Sequence, residues 1–192
     1  MQGSAIGFYG SRGDEELDEQ SGSGEGFLAE VCRENEEVAG RIEEEGVRLA
    51  VSRTGIVLES YGGMLERMIH AYRFYMGGYM GSPQRWISWI HLRDEVRAIR
   101  FLLENEELSG PFNLTTEQPV TIGKLCEELS RLLEKPTWLK LPTGLTKVLF
   151  GQMGRELLLV SQKVLPRRLV EAGFEFEYSD IEEALNDIFE RV

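Results

Sequence analysis

The apolar positions of this chain alternate between helical stripes and short β-rich runs. Leu28, Val31, Cys32, Val38, Ala39 and Ile42 recur at steps of three, four and seven, which predicts an amphipathic helix from Phe27 that stops at Gly46. Val47 to Leu58 is apolar on both faces at its ends, as a strand covered on both sides would be. Gly62-Gly63 breaks the chain, and Met64, Leu65, Met68, Ile69, Tyr72 and Tyr75 trace a second helix. A loop is expected over residues 77–83. The run RWISWIHL then predicts a strand with Trp86, Ser88 and Ile90 on one face and Ile87, Trp89 and His91 on the other.

Val96, Ile99, Leu102 and Leu103 mark the next helix, and Pro111 to Thr116 a short strand. Thr121 can cap a helix that carries Ile122, Leu125, Cys126, Leu129, Leu132 and Leu133. Another short strand is expected at Trp138–Leu141, with helical stretches near Leu145–Phe150 and Gln162–Ala172. Ser179-x-x-Glu182 reads as a capping box opening a last helix. Helices alternating with short buried strands predict an α/β fold. A sheet-bearing unit over residues 1–117 and a smaller mixed lobe over 118–192 are the expected divisions.

The polar residues add a strong asymmetry. Thirteen acids and two bases fall between Asp14 and Glu45, a net of −11 out of −12 for all 192 residues. Residues 10–26 are Gly- and Ser-rich without apolar period and predict a loop. The acidic stretch reads as a solvated face, or as a docking segment for a basic partner in a non-catalytic interaction module. No basic cluster suits a nucleic-acid surface. No run approaches the ~18 apolar residues of a membrane span. The start has neither the basic residues nor the apolar middle of a secretion signal, and Cys32 and Cys126 make no disulfide framework, so a reducing cytoplasm is the expected compartment. His70 and His91 lack metal-ligand spacing and no CxxC occurs, so no metal is expected.

Gly7, Gly10 and Gly13 spell GxxGxxG. A dinucleotide cradle needs a buried strand before the glycines and a helix N-terminus after them, whereas here Asp14-Glu15-Glu16 follows. A strand end and turn is the expected structure.

Five separated motifs occur in order: Ser4-Ala-Ile-Gly-Phe-Tyr-Gly10, Phe27-Leu-Ala-Glu-Val-Cys32, Arg53-Thr-Gly-Ile-Val-Leu58, Trp86-Ile-Ser-Trp-Ile-His91 and Leu165-Pro-Arg-Arg-Leu-Val-Glu-Ala-Gly-Phe174. Together they resemble the atypical branch of the short-chain dehydrogenase/reductase superfamily, the NAD-dependent epimerase/dehydratase-like proteins. The resemblance implies the C-terminal portion of a Rossmann-type fold followed by a small mixed α/β lobe. It also implies an NAD(P)-dependent oxidoreductase or epimerase acting on a small hydroxyl- or carbonyl-bearing substrate. Members carry a Gly-rich strand–turn–helix ahead of the segment that matches Ser4, and this sequence holds no counterpart. The chain alone is therefore expected to bind no NAD or NADP and to be inactive. Unpaired sheet edges then predict self-association, capture of a complementing N-terminal fragment, or poor stability.

By the same resemblance, Ser4 matches the serine that polarises the substrate carbonyl, while the usual Tyr and Lys fall on Leu28 and Cys32. Leucine transfers no proton and a thiol supplies no positive charge. Cys32 is a site residue or a plain buried thiol, and Ser4 a site hydroxyl or one bonded locally. Arg53, Thr54 and Gly55 would lie near the nicotinamide, Arg53 meeting a carboxylate or phosphate there, or an acid of the protein itself. Trp86 and Ser88 are expected pocket lining. His91 is either a proton donor or the cap of the helix after it.

Overall fold

The structure is a computed structural model that describes residues 1–141 and 159–191. Three parallel strands form its largest sheet: β1 (Gln2–Ala5), β3 (Ala50–Thr54) and β8 (Gly110–Leu114), in the order β1-β3-β8. β3 is central and buried through Arg53, which explains why its sequence is not simply alternating. The expected α/β class with parallel pairing is what the chain adopts.

Helix α1 (Phe27–Gly40) runs into a 3-10 turn over Arg41–Glu45 and stops at Gly46 in the left-handed region, as the sequence predicts. It packs on β1 and on the 3-10 turn Ile6–Tyr9. α2 (Gly63–Arg73), α3 (Leu92–Glu104) and α4 (Ile122–Leu133) follow the predicted order, and the Thr121 hydroxyl accepts the Lys124 N–H at 3.2 Å. α5 (Arg167–Glu171) and α6 (Ile181–Glu190) follow among the described residues. The larger core cluster joins Leu65 and Tyr72 of α2 and Trp89 to Leu125 of α4 and Leu185 of α6. A second, around Ile90, Leu102, Phe112 and Leu169, lies on the other side of the RWISWIHL run. That division matches the predicted alternation of Ile87 and Trp89 against Ile90.

Several expectations need correction. The run Val47–Leu58 is two strands, because β4 (Ile56–Leu58) leaves β3 at Gly55 and pairs instead with β7 (Trp89–His91). Gly55 donates to the Leu114 carbonyl, and a Cβ there would lie 2.8 Å from both the Ser88 carbonyl and Thr115 Cγ2. Gly55→Ala should therefore cost about 1–3 kcal/mol through forced overpacking, read as a lower urea midpoint with unchanged slope. RWISWIHL is likewise split at Ser88, into β6 (Trp86–Ile87) and β7. β6 pairs antiparallel with β9 (Val120–Thr121).

The Gly/Ser-rich segment contains β2 (Glu16–Leu17), which pairs with β11 (Lys163–Val164), and Leu17 is fully buried. The loop expected at 77–83 contains β5 (Gly78–Met80), partner of β10 (Leu139–Leu141). The helix expected over Gln162–Ala172 begins only after Pro166, with β11 taking its first turn. Two- and three-residue strands are too short to show a period, so only their distant partners define them. The last helix is capped by Asp180, whose carboxylate accepts the Glu182 and Glu183 N–H groups, rather than by Ser179. The stretch Leu145–Phe150 lies outside the described residues.

The stripes of α1 and α3 are only half right. Ala29 and Cys32 are buried, yet Phe27, Val31, Val38 and Ile42 face outward. On α3 the buried face is Asp94, Glu95, Ala98 and Leu102, while Val96 and Leu103 are exposed. Tyr75 is also exposed, with a left-handed φ of 57°.

Candidate active site

Parallel register sets Ser4, Arg53 and Asn113 side by side across β1, β3 and β8. Since alternate strand residues face opposite ways, Ser4 and Arg53 point together at α1. There they meet Glu36, four residues after Cys32 and on the same helical face. The Ser4 hydroxyl donates to Glu36 Oε1 at 2.6 Å. Arg53 grips the same carboxylate bidentately, Nε to Oε1 at 3.0 Å and Nη2 to Oε2 at 2.7 Å. Its Nη1 donates to the Tyr9 hydroxyl at 2.9 Å, and its guanidinium lies 3.5 Å from the Phe8 ring centroid.

Tyr9 donates onward to Asn113 Oδ1 at 2.7 Å, and the Asn113 N–H donates to Glu19 Oε1 at 2.9 Å. Burial pushes the Tyr9 phenol up to about 12 and raises the Glu19 carboxyl as well. The phenol is thus a neutral donor at physiological pH. Of the two readings for Arg53, the structure shows the acid of the protein itself. Two of the thirteen clustered acids, Glu19 and Glu36, thereby belong to the interior network. Others pair elsewhere: Glu15 with neighbouring Arg12, and Glu16 and Asp18 with Lys163 and Arg167 far along the chain.

Leu28, Cys32 and Glu36 succeed one another at single helical turns. Gly7 lies beneath the first two, where a Cβ would be 3.5 Å from Leu28 Cβ and 3.7 Å from Cys32 Sγ. The Gly7–Gly13 stretch forms a 3-10 turn and an irregular loop, not the start of a helix. At Gly10, φ is 61° and a Cβ would press on the Glu25 backbone at 2.9 Å, so this glycine serves loop packing. The strand end and turn expected there is what forms.

Thr54 faces away from Arg53, and its hydroxyl donates to Glu95 Oε1 on α3 at 2.8 Å. Glu95 is 7% exposed, its Oε2 has no partner among the described residues, and burial raises its pKa to about 7. The close approach permitted by Gly55 is to the chain's own backbone.

Trp86, Ser88 and His91 lie away from that row. Trp86 Nε1 donates to Asp14 at 2.9 Å. Ser88, almost fully buried, donates to the Gln162 carbonyl and accepts the Val164 N–H at 2.7 Å, tying β11 to the break between β6 and β7. His91 is fully buried and caps α3, Nδ1 accepting the Arg93 N–H at 3.1 Å. That tautomer puts the proton on Nε2, which faces Asp187 Oδ2 at 3.2 Å without the alignment of a hydrogen bond. Burial and nearby Arg191 lower the His91 pKa, so the ring is neutral and the Asp187 contact is not an ion pair. The cap reading of His91 is the one this geometry matches.

The structure thus unites Ser4, Arg53 and Cys32 around one helix face, with Thr54 and Gly55 at the end of the same strand. Glu36, Tyr9, Asn113 and Glu95 escaped the sequence reading. Glu36 alone carried a signal, its spacing of one turn from Cys32. Among the described residues no cluster of His, Cys, Asp or Glu could hold a metal ion, and no helix is long and apolar enough to cross a membrane.

Known proteins resemble this chain over nearly all of its length. Residues 141–188 match a domain of unknown function, DUF1731. An epimerase family protein of Mycobacterium bovis is 40% identical over 185 residues, covering 96% of this chain and 62% of that protein. The chloroplastic SDR39U1 homolog of Arabidopsis thaliana, also named an epimerase family protein, is 41% identical over 99% of this chain and 54% of its own length. Among solved structures, human epimerase family protein SDR39U1 (isoform 2) with NADPH superposes with a TM-score of 0.89 at 27% identity, covering 99% of this chain and 64% of that one. A nucleoside-diphosphate sugar epimerase from Corynebacterium glutamicum gives 0.78 at 34% identity, over 95% of this chain and 35% of that one. The chain spans between just over half and about three fifths of the length of the curated relatives it matches, and over that length it is similar to epimerase family proteins, atypical short-chain dehydrogenase/reductase-like proteins of Rossmann-type fold.

Proposed function

We propose that this chain supplies the substrate-side wall and the C-terminal lobe of an NAD(P)-dependent epimerase- or oxidoreductase-like protein acting on a small hydroxyl- or carbonyl-bearing substrate. The observation that carries the reading is the likeness, over 99% of the chain, to a human relative solved with NADPH. The parallel arrangement of β1 and β3 supports it, because ligands of open α/β sheets bind beyond the carboxyl ends of such strands, here Ala5 and Thr54-Gly55.

The residues present do not fit the phosphates of a dinucleotide. Gly7–Gly13 leads into acids instead of a helix N-terminus, and the Arg53 guanidinium is engaged by Glu36 and Tyr9. No hydride step is therefore assigned to this chain. Ser4 holds its proton toward Glu36, Leu28 has none to give, and Cys32 lacks the charge of a lysine. What these residues contribute is a positioned, largely preorganised wall.

The expected result is negligible binding of NADPH or NADH by the chain alone, measured by fluorescence titration. Saturable binding in the low micromolar range would overturn this division of labour.

A further inference from the structure

The C-terminal end of α2 is closed in a way that does not favour its own stability. The Tyr75 N–H donates to the Tyr72 carbonyl at 2.9 Å, and the Met76 N–H to the Ala71 carbonyl at 2.8 Å. This pattern ends a helix with one residue in the left-handed region, where glycine is the usual occupant, and commonly turns the next apolar side chain back onto the helix. Here the left-handed residue is Tyr75, with φ of 57°, and neither it nor Met76 is tucked away. Phe74, Tyr75 and Met76 are 71%, 56% and 52% exposed.

β10 and the turn before it brace this end. Trp138 Nε1 donates to the Tyr75 carbonyl at 2.7 Å, and Trp138 is itself 60% exposed. Lys135 Nζ donates to the Tyr75 hydroxyl at 2.6 Å and lies 4.0 Å from the ring centroid. Specific bonds thus hold four large apolar side chains outward. Each is more than half exposed, so they project from the surface and do not line a groove.

The same end gathers cations. Arg67 and Arg73 lie on the outward side of α2, away from buried Leu65, Ile69 and Tyr72. Lys140 shares the exposed face of β10 with Trp138. None of Arg67, Arg73, Lys135 and Lys140 pairs with a carboxylate among the described residues. Elsewhere cations are engaged within the fold, Arg53 by Glu36, Arg97 by Asp94 and Lys124 by Glu128. Residues 63–76 and 134–141 hold these four cations against Glu66 and Glu134, a net of +2 in a chain of −12.

We propose that the Phe74–Met76 turn, Trp138 and these four cations form a peripheral contact site for an anionic lipid surface. Trp138 and Tyr75 combine an apolar ring with a polar tip, which suits the boundary between headgroups and acyl chains. Phe74 and Met76 enter the apolar layer, while Arg67, Arg73, Lys135 and Lys140 meet headgroup phosphates. An acidic protein partner fits less well, because projecting side chains offer it no pocket to fill. The site lies on α2 and β10, not at the strand ends that carry the cofactor reading, and does not depend on that reading.

The test mixes the 192-residue chain with phosphatidylcholine vesicles containing about 30% phosphatidylglycerol, followed by co-sedimentation and Trp emission. Binding is expected, with a blue shift that Trp138→Phe removes and quenching by lipids brominated on their acyl chains. Vesicles of phosphatidylcholine alone should bind at least about tenfold more weakly. Phe74→Ser with Met76→Ser, and separately Arg73→Glu with Lys140→Glu, should each weaken binding at least about tenfold. Tyr75→Gly should weaken binding without lowering the urea midpoint, since glycine suits the left-handed backbone. Phe27→Ser with Val38→Ser, exposed on α1, should change nothing.

Failure to bind anionic vesicles, equal binding to neutral ones, or binding untouched by the turn or charge substitutions would each overturn the proposal. So would self-association, seen by light scattering and abolished by the same substitutions, in place of vesicle binding. If the substituted chains do not fold, quenching of the unsubstituted protein by brominated lipid decides: quenched emission supports the site, and unquenched emission defeats it.

Discussion

Replacing Arg53 with alanine is expected to cost about 3–5 kcal/mol of folding stability, the usual loss when one partner of a buried ion pair is removed. The cost arises from what is left behind. Glu36 keeps a partly buried carboxylate with the Ser4 hydroxyl as its remaining donor among the described residues, and the Tyr9 hydroxyl loses its donor. Chemical denaturation followed by Trp fluorescence reads the change. The double variant with Glu36→Ala should recover part of the loss, because the orphaned charge leaves with its partner. Equal and additive losses in the two single variants would show that the network carries no coupling.

Glu95→Gln is expected to stabilise the chain at pH 8 by up to about 3 kcal/mol, and to change little near pH 4. Burial raises the Glu95 pKa from 4.5 to about 7, so the native state holds this proton more tightly than the unfolded state does. Native stability from this group therefore falls as pH rises between about 4.5 and 7, and the full penalty is present above that range. Glutamine keeps an acceptor for the Thr54 hydroxyl and fills the site without a charge to desolvate. Urea midpoints of the two proteins should run together at acidic pH and diverge through neutrality. Parallel curves across that interval would mean that Glu95 ionises freely.

Arg53 and Glu95 also show where sequence reading stopped. In the sequence Arg53 stands out because it lies near a strand end, which is where ligands of such sheets bind, and spacing leaves both a ligand anion and a protein acid as its partner. Glu36 decides it, but only once α1 is laid over β1 and the parallel register sets Ser4 beside Arg53. Nothing in the pattern around Glu95 announces a buried carboxyl, since it sits beside Val96 and the apolar spacing assigns the stripe to Val96, Ile99, Leu102 and Leu103. That stripe is split: Leu102 is buried and Ile99 packs on the same core, while Val96 and Leu103 are exposed. Hydrophobic period records that a helix has an apolar face, not which neighbour covers it.

By itself the sequence determined the α/β class, the order of the principal helices and strands, the stop of α1 at Gly46 and the cap at Thr121. These follow from local chemistry: a helix period, a glycine at a left-handed position, a hydroxyl beside free N–H groups. Tertiary structure alone decided the split of two strand runs at Gly55 and Ser88, the pairing of Glu16–Leu17 with Lys163–Val164, and the engagement of Arg53 by Glu36. Each of those depends on a partner far along the chain. Strand pairing and buried charge are settled by which distant groups can satisfy a backbone or a guanidinium once water is excluded, and residue spacing carries no record of that choice.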